Sequence, residues 1–376
     1  MQMKIINLLF VVLCLVPPAF AQKKRVDNEL KAIMEKYEAI GLSVAVLKEH
    51  KIVYKSSFGL KDVEKGKSLK NKDIFRIASI SKSFTATSLM QLVEQGSLSL
   101  NDDVSDLIGF RIRNPKFPDK VITLEMILSH RSSLNDKNGY FTLDVLDTTK
   151  TPTWRNSFNE YEPGNGYMYC NLNFNLAGTI LEKVSGQRFD RYIKEHILDP
   201  LGLYGGYWVD GLDSSRFVKL YEYVEDEQRF KLSTDAYAPR RKELSEYRIG
   251  YSAPVLSPTG GMKISAVDLA KYMDMHMYYG QFKKGHIISE TSSRRMQTAL
   301  TEKSGYGLAL WHDKELLPGV ELVGHTGSAY GLYSAMFFHP EDKYGFVVIT
   351  NGLNTNKGVD DFRRDCIKVL YEDLLN

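Results

Sequence analysis

The chain reads as an interrupted α/β domain, on three observations: short β-branched runs near both ends, a helix pattern at each end, and a long, mainly helical stretch between them. In chain order, a helix is expected over about 27–37. Residues 42–48 and 52–58 then alternate as two strands around Glu49, His50 and Lys51, the pattern of a hairpin. From Ser79 an amphipathic helix carries Ile80, Phe84, Leu89, Met90, Leu92 and Val93 on its apolar face and stops at Gly96. A further helix is expected over 173–184. Ser265 and Asp268 read as a capping pair before a helix over 269–277. Residues 204–250, which mix charges with many tyrosines, read as a solvated surface excursion or a specificity-bearing insertion. Strands are expected at 321–327, 332–338 and 346–350, with a turn at 339–343, and a helix over 359–374 closes the chain.

Composition fits a folded enzyme. Of 376 residues, 43% are hydrophobic and 25% charged, so a large core can form, and a formal charge of +3 gives neither a nucleic-acid stripe nor a polybasic membrane patch. The N-terminus has Lys4, an apolar run to Val16, and small residues up to Ala21, the three parts of a secretory signal. Cleavage after Ala21 and export to the periplasm or medium are expected. The run is too short for a stable membrane anchor, which needs about 20 apolar residues, and Cys14 lacks the small preceding residue of a lipoprotein signal. Cys170 and Cys366 then remain, too few for a disulfide framework.

Ser79 and Lys82 stand three residues apart, which puts hydroxyl and amine on one helical face. A serine is a poor nucleophile until a base takes its proton, and a lysine can do so only with a lowered pKa. Alone, this spacing is weak. Downstream follow Tyr169-Cys170-Asn171 and His325-Thr326-Gly327, with supporting stretches at 122–134, 200–203, 258–272 and 306–311. On these motifs the chain resembles the serine β-lactamase and penicillin-recognising enzyme superfamily, in its class C β-lactamase-like and D-alanyl-D-alanine peptidase-like branch.

The resemblance implies an α+β fold: an antiparallel sheet of about five strands, built from residues 22–78 and 251–376 and flanked by the terminal helices. A mainly helical domain at 79–250 is inserted, and the active site lies between the two. It implies that Ser79 attacks a carbonyl to form an acyl-enzyme while Lys82 and Tyr169 share proton transfer, both with depressed pKa values; which is the primary base stays open. Asn171 would hold Lys82 and bind a substrate amide. His325, Thr326 and Gly327 would form the edge along which substrate lies, and the backbone amides of Ser79 and Ser328 would hold the oxyanion. Thr326 either donates to a substrate carboxylate or is simply a β-branched strand former. Gly327 permits a close approach. Residues 306–311 look like a family strand.

Some features depart from the pattern. Class C β-lactamases usually carry lysine where His325 stands, so lactam resistance is not the default reading. An imidazole titrates near pH 6.5, so His325 is expected to attract a substrate carboxylate at low pH and release it as pH rises. Ser133 stands where relatives often have glycine, and His130 and Cys170 read as structural residues. There is no Gly-x-Ser-x-Gly elbow, no paired-histidine zinc spacing, and Lys61 occupies the place of the first glycine of a phosphate loop, so no metal or cofactor is expected. The function implied is a secreted serine hydrolase acting on an amide or ester, such as a D-amino-acid peptide, a peptidoglycan stem peptide, a β-lactam or a small ester. The alternative is a penicillin-binding or sensing protein that acylates without turnover.

Overall fold

The computed structural model describes residues 18–301 and 303–376. Most of the expected signal, with Cys14, lies outside the described residues. Helix α1 spans Pro18–Tyr37, longer than the 27–37 read from the sequence, and runs through Ala21. No helix among the described residues is long and apolar enough to cross a membrane.

The main sheet is assembled from both ends of the chain. Its strands are β1 (Gly41–Lys48), β2 (Lys51–Asp62), β3 (Lys67–Ser68), β4 (Trp311–Asp313), β5 (Leu322–Ala329), β6 (Leu332–His339) and β7 (Tyr344–Thr350), in the order β4-β5-β6-β7-β1-β2-β3. All neighbouring pairs are antiparallel. The five long strands are those legible in the sequence; the two short ones add the edges. One expected strand is absent. Residues 306–310 turn back on themselves, with Gly307 N–H donating to Leu310 O at 2.7 Å and Ala309 at φ +61°, and only from Trp311 does the chain join the sheet.

Alternation on β1 explains the layers. Val44 and Val46 face a core formed with α1 and the C-terminal helix, whereas Ala45 and Leu47 face the larger core on the other side. Both faces of β1 are covered, so it is buried almost throughout. The C-terminal helix, Val359–Leu374, packs on α1, and the helix Ala266–Met277 covers the opposite face against β1, β6 and β7. Ser265 caps the latter by accepting from Asp268 N–H at 3.1 Å.

The intervening stretch contains α2 (Ser81–Glu94) and α3 (Asn171–Ser185), which pack against each other. Two readings change here. Ser79 does not start the α-helix but sits in a 3-10 turn, Ala78–Ile80, that feeds into it. Helix α2 is buried on nearly every side and not only along one stripe, with Ser83 and Ser88 satisfied by the carbonyls of Ile80 and Phe84. Residues 204–250 form a hairpin, Tyr221–Val224 with Arg229–Leu232, several 3-10 turns and a short helix, Arg241–Ser245.

Cys170 and Cys366 are both buried and unpaired. Denatured protein should therefore gain the same alkylated mass with and without prior reduction, whereas a reductant-dependent gain would reveal a disulfide.

Candidate active site

The nucleophile is set by close packing of sheet on turn. A Cβ on Gly327 would lie 2.3 Å from Ile77 O and 3.2 Å from the Ala78 Cβ, so β5 can meet the turn only through glycine. The close approach expected of Gly327 is thus made by the chain's own backbone. Ser334 Oγ on β6 also donates to Ile77 O, at 3.2 Å. Ala78, just before the nucleophile, is held at φ +49°, a region costly for a residue with a Cβ.

Lys82 is wholly enclosed, and its Nζ lies 3.1 Å from Ser79 Oγ, 2.9 Å from Asn171 Oδ1 and 3.0 Å from Thr259 O. Burial brings its pKa down to about 7; the nearby Asp136 carboxylate opposes this. Two of the three partners are carbonyl oxygens that can only accept. A neutral amine therefore gives its two protons to Asn171 and Thr259 and turns its lone pair to the Ser79 hydroxyl, which can donate. The first turn of α2 is docked to the 258–262 loop by further bonds: Thr85 Oγ1 to Pro258 O at 3.1 Å, and Met262 N–H to Ser81 Oγ at 3.1 Å.

Tyr169 corrects the expectation of two depressed pKa values. Burial raises its phenol, with a hydrogen bond to Ser79 opposing, and Lys82 Nζ lies 4.9 Å from its ring centre. A phenol of raised pKa is protonated at neutral pH, so of the two groups the Lys82 amine is the better suited to accept the Ser79 proton, and Tyr169 is a neutral hydroxyl that can pass a proton on.

His325 is corrected too. It is 1% exposed, and burial, then the Lys82 charge, bring its pKa down to about 3. Nδ1 lies 2.5 Å from Thr326 O and Nε2 3.1 Å from the Tyr306 hydroxyl. These partners assign a neutral tautomer, with Nδ1–H donating to the carbonyl and Nε2 accepting from the phenol. A pKa near 3 leaves the His325 imidazole neutral between pH 5 and 8, where it offers hydrogen bonds and no charge.

Ser79, Tyr169, Asn171, His325, Thr326 and Ser328 all line one cavity of about 630 Å³. Strand β4 pairs only with Leu322–Gly324, so beyond Gly324 no strand among the described residues covers the outer edge of β5. Tyr140, Phe141, Tyr167, Tyr306, Trp311 and Tyr330 give the cavity aromatic walls. Glu222, from the stretch read as a surface excursion, also lines it.

Two supporting residues escaped the sequence reading. Asp136 accepts from the backbone N–H of Asn171 at 2.8 Å, that of Leu172 at 2.9 Å, and Asn171 Nδ2 at 3.0 Å. It caps α3, whose own N-cap residue, Cys170, makes no side-chain cap, and it fixes which end of the Asn171 amide faces Lys82. Arg363, 5% exposed on the C-terminal helix, donates through Nη2 to Gly327 O and Ser328 Oγ, both at 2.9 Å, and so braces the β5 edge.

The other expected structural residues take such places. His130 is buried at φ +59°, and its Nδ1 accepts from Cys170 N–H at 3.1 Å. Ser133 adopts φ +62°, a backbone conformation that favours glycine. The Cys170 thiol is buried and donates to Asp136 at 3.2 Å, and burial pushes its pKa up, against thiolate chemistry.

A family model described as Beta-lactamase matches residues 26–365. Protein flp of Staphylococcus aureus (strain MW2) is 22% identical over 350 residues, covering 88% of this chain; the chain spans 63% of that relative's length, less than two thirds. Penicillin-binding protein 4* of Bacillus subtilis (strain 168) is 25% identical over 343 residues, covering 88% of this chain and 72% of that protein. Among solved structures, the octameric penicillin-binding protein homologue from Pyrococcus abyssi has a TM-score of 0.73 and 26% identity, over 93% of this chain and 77% of that one. The family match spans both sheet segments and the helical stretch between them, and the chain belongs to the Beta-lactamase family, within the β-lactamase-like superfamily of serine hydrolases.

Proposed function

We propose that the protein is an exported hydrolase that cleaves an amide or ester through an acyl-Ser79 intermediate. The observation that carries this reading is the Lys82 amine, enclosed, brought to about pKa 7, and held 3.1 Å from the Ser79 hydroxyl by two acceptor-only partners. Ser79 Oγ adds to the substrate carbonyl as its proton passes to Lys82 Nζ. Collapse of the adduct breaks the bond to the leaving group, which takes a proton through Tyr169. Water then attacks the acyl-enzyme, giving a proton back through the same pair and releasing acid and free Ser79. The uncovered edge of β5 suits an extended substrate, with the amides of Ser79 and Ser328 as oxyanion donors, and the aromatic walls suit an apolar flanking group.

Three measurements check this. A fluorophosphonate should label the exported protein, with Gln22 as its N-terminus, on Ser79 alone. Ser79→Ala should remove both labelling and turnover of a nitrophenyl ester; full turnover by folded Ser79→Ala protein would refute the mechanism. The pH dependence of kcat/KM for a neutral ester follows from the sign of the Lys82 shift. Activity needs the neutral amine, so it should climb about tenfold per unit below an inflection near pH 7 and level off above it.

Asp136→Ala should cost about 3 kcal/mol of stability, since charge-assisted hydrogen bonds contribute about 1.5–3 kcal/mol each. It should also lower kcat/KM by about 100-fold, the penalty of a displaced catalytic group. Because the Asp136 charge raises the Lys82 pKa, its removal should move the inflection to lower pH. An unmoved inflection would reduce Asp136 to a helix cap.

A further inference from the structure

His325 supplies no charge, yet one cation does reach the cavity. Arg76, three residues before the nucleophile, lines both the catalytic cavity and a second chamber of about 380 Å³. Arg76, Phe141, Ser257 and Tyr330 are common to the two, so the chamber opens from the cleft at the guanidinium. Nε donates to Gly260 O at 2.8 Å, Nη1 makes a long contact of 3.4 Å to Ala236 O, and the guanidinium carbon lies 4.7 Å from the centre of the Tyr330 ring. Nη2 donates to no carbonyl or carboxylate, the neighbouring Tyr330 side chain being a further hydrogen-bonding partner of the guanidinium, and no carboxylate lies within ion-pair reach of Arg76, among the described residues. A guanidinium whose fork is only half used, held against an aromatic face and without a counter-ion, is suited to a planar anion.

The other charges nearby do not take this place. Lys263 lines the second chamber, but its buried amine already donates to Tyr207 O at 2.6 Å, and burial pulls its pKa well down. Arg240 pairs with Glu243 at 3.2 Å. Glu222 in the cleft and Asp235 in the chamber are negative but exposed, where solvent screens them.

We propose that Arg76 forms a carboxylate subsite at the junction of the cleft and the second chamber, so that the protein takes substrates bearing a carboxylate next to an apolar or aromatic group. The proposal rests on the reading of the cleft as the catalytic site. The competing account is that Arg76 only pins the carbonyls of Gly260 and Ala236.

Binding separates the two without turnover. In a Ser79→Ala background, calorimetry would compare N-acetylphenylalanine with N-acetylphenylalaninamide, which differ in the carboxylate. The carboxylate should bind about tenfold or more tighter at low salt, as one charge-assisted pair allows. Arg76→Gln should abolish that preference and leave amide binding unchanged, and Arg76→Lys should retain part of it. Equal binding of the two ligands, no carboxylate binding, or a preference that survives in Arg76→Gln would overturn the subsite. A fall in affinity for both ligands alike would assign Arg76 to structure and also overturn it. Fluorophosphonate labelling of protein that retains Ser79 reports separately on the hydrolase reading: labelling without carboxylate selectivity rejects the subsite alone, and selectivity without labelling rejects the hydrolase alone.

Discussion

The enclosed amine of Lys82 is the constraint on which the site depends. A charged ammonium without solvent costs several kcal/mol unless fully partnered, so the interior must neutralise it or surround it with acceptors. Here it does both. The partners come from three separate parts of the chain: the turn before α2, the start of α3, and the 258–262 loop that leads back to the sheet segment. Their convergence ties the helical stretch to the sheet at the point where chemistry would occur. Misplacing any of the three would leave the amine short of an acceptor or turn its lone pair away from Ser79.

Around that core the same logic is repeated at one remove. Asp136 orients Asn171 and satisfies the first amides of α3; Gly327 lets β5 meet the nucleophile turn; and Arg363 braces the β5 edge from the C-terminal helix. Each of these residues acts by fixing a group that acts. They also couple the site to distant parts of the fold, since Arg363 is contributed by the last helix of the chain.

Local pattern was legible where the chemistry is local. The three-residue spacing of Ser79 and Lys82, the long strands and the terminal helix can all be read from short windows. Asp136 could not be, because it meets Asn171 from 35 residues away and carries no spacing signal. Arg76 precedes the nucleophile by three residues, but what marks it is that no carboxylate among the described residues lies within ion-pair reach, which no short window of sequence shows. Residue type alone does not give the titration of His325 and Tyr169, because burial sets it and moves both away from charge. Residues 306–310 have the apolar content of a strand, yet Gly307 and Ala309 turn the chain back.

Burial brings the Lys82 amine to about pKa 7, which leaves a substantial neutral fraction at neutral pH, and direct titration tests this most plainly. Protein labelled with carbon-13 at the lysine ε-carbons would be followed by NMR across pH 5 to 11, with Lys82→Met to assign the resonance. The resonance that disappears in Lys82→Met should titrate near pH 7, well apart from the exposed lysines near about 10.4. A Lys82 signal that titrates with the others would contradict it, and with it the assignment of Lys82 as the base for Ser79.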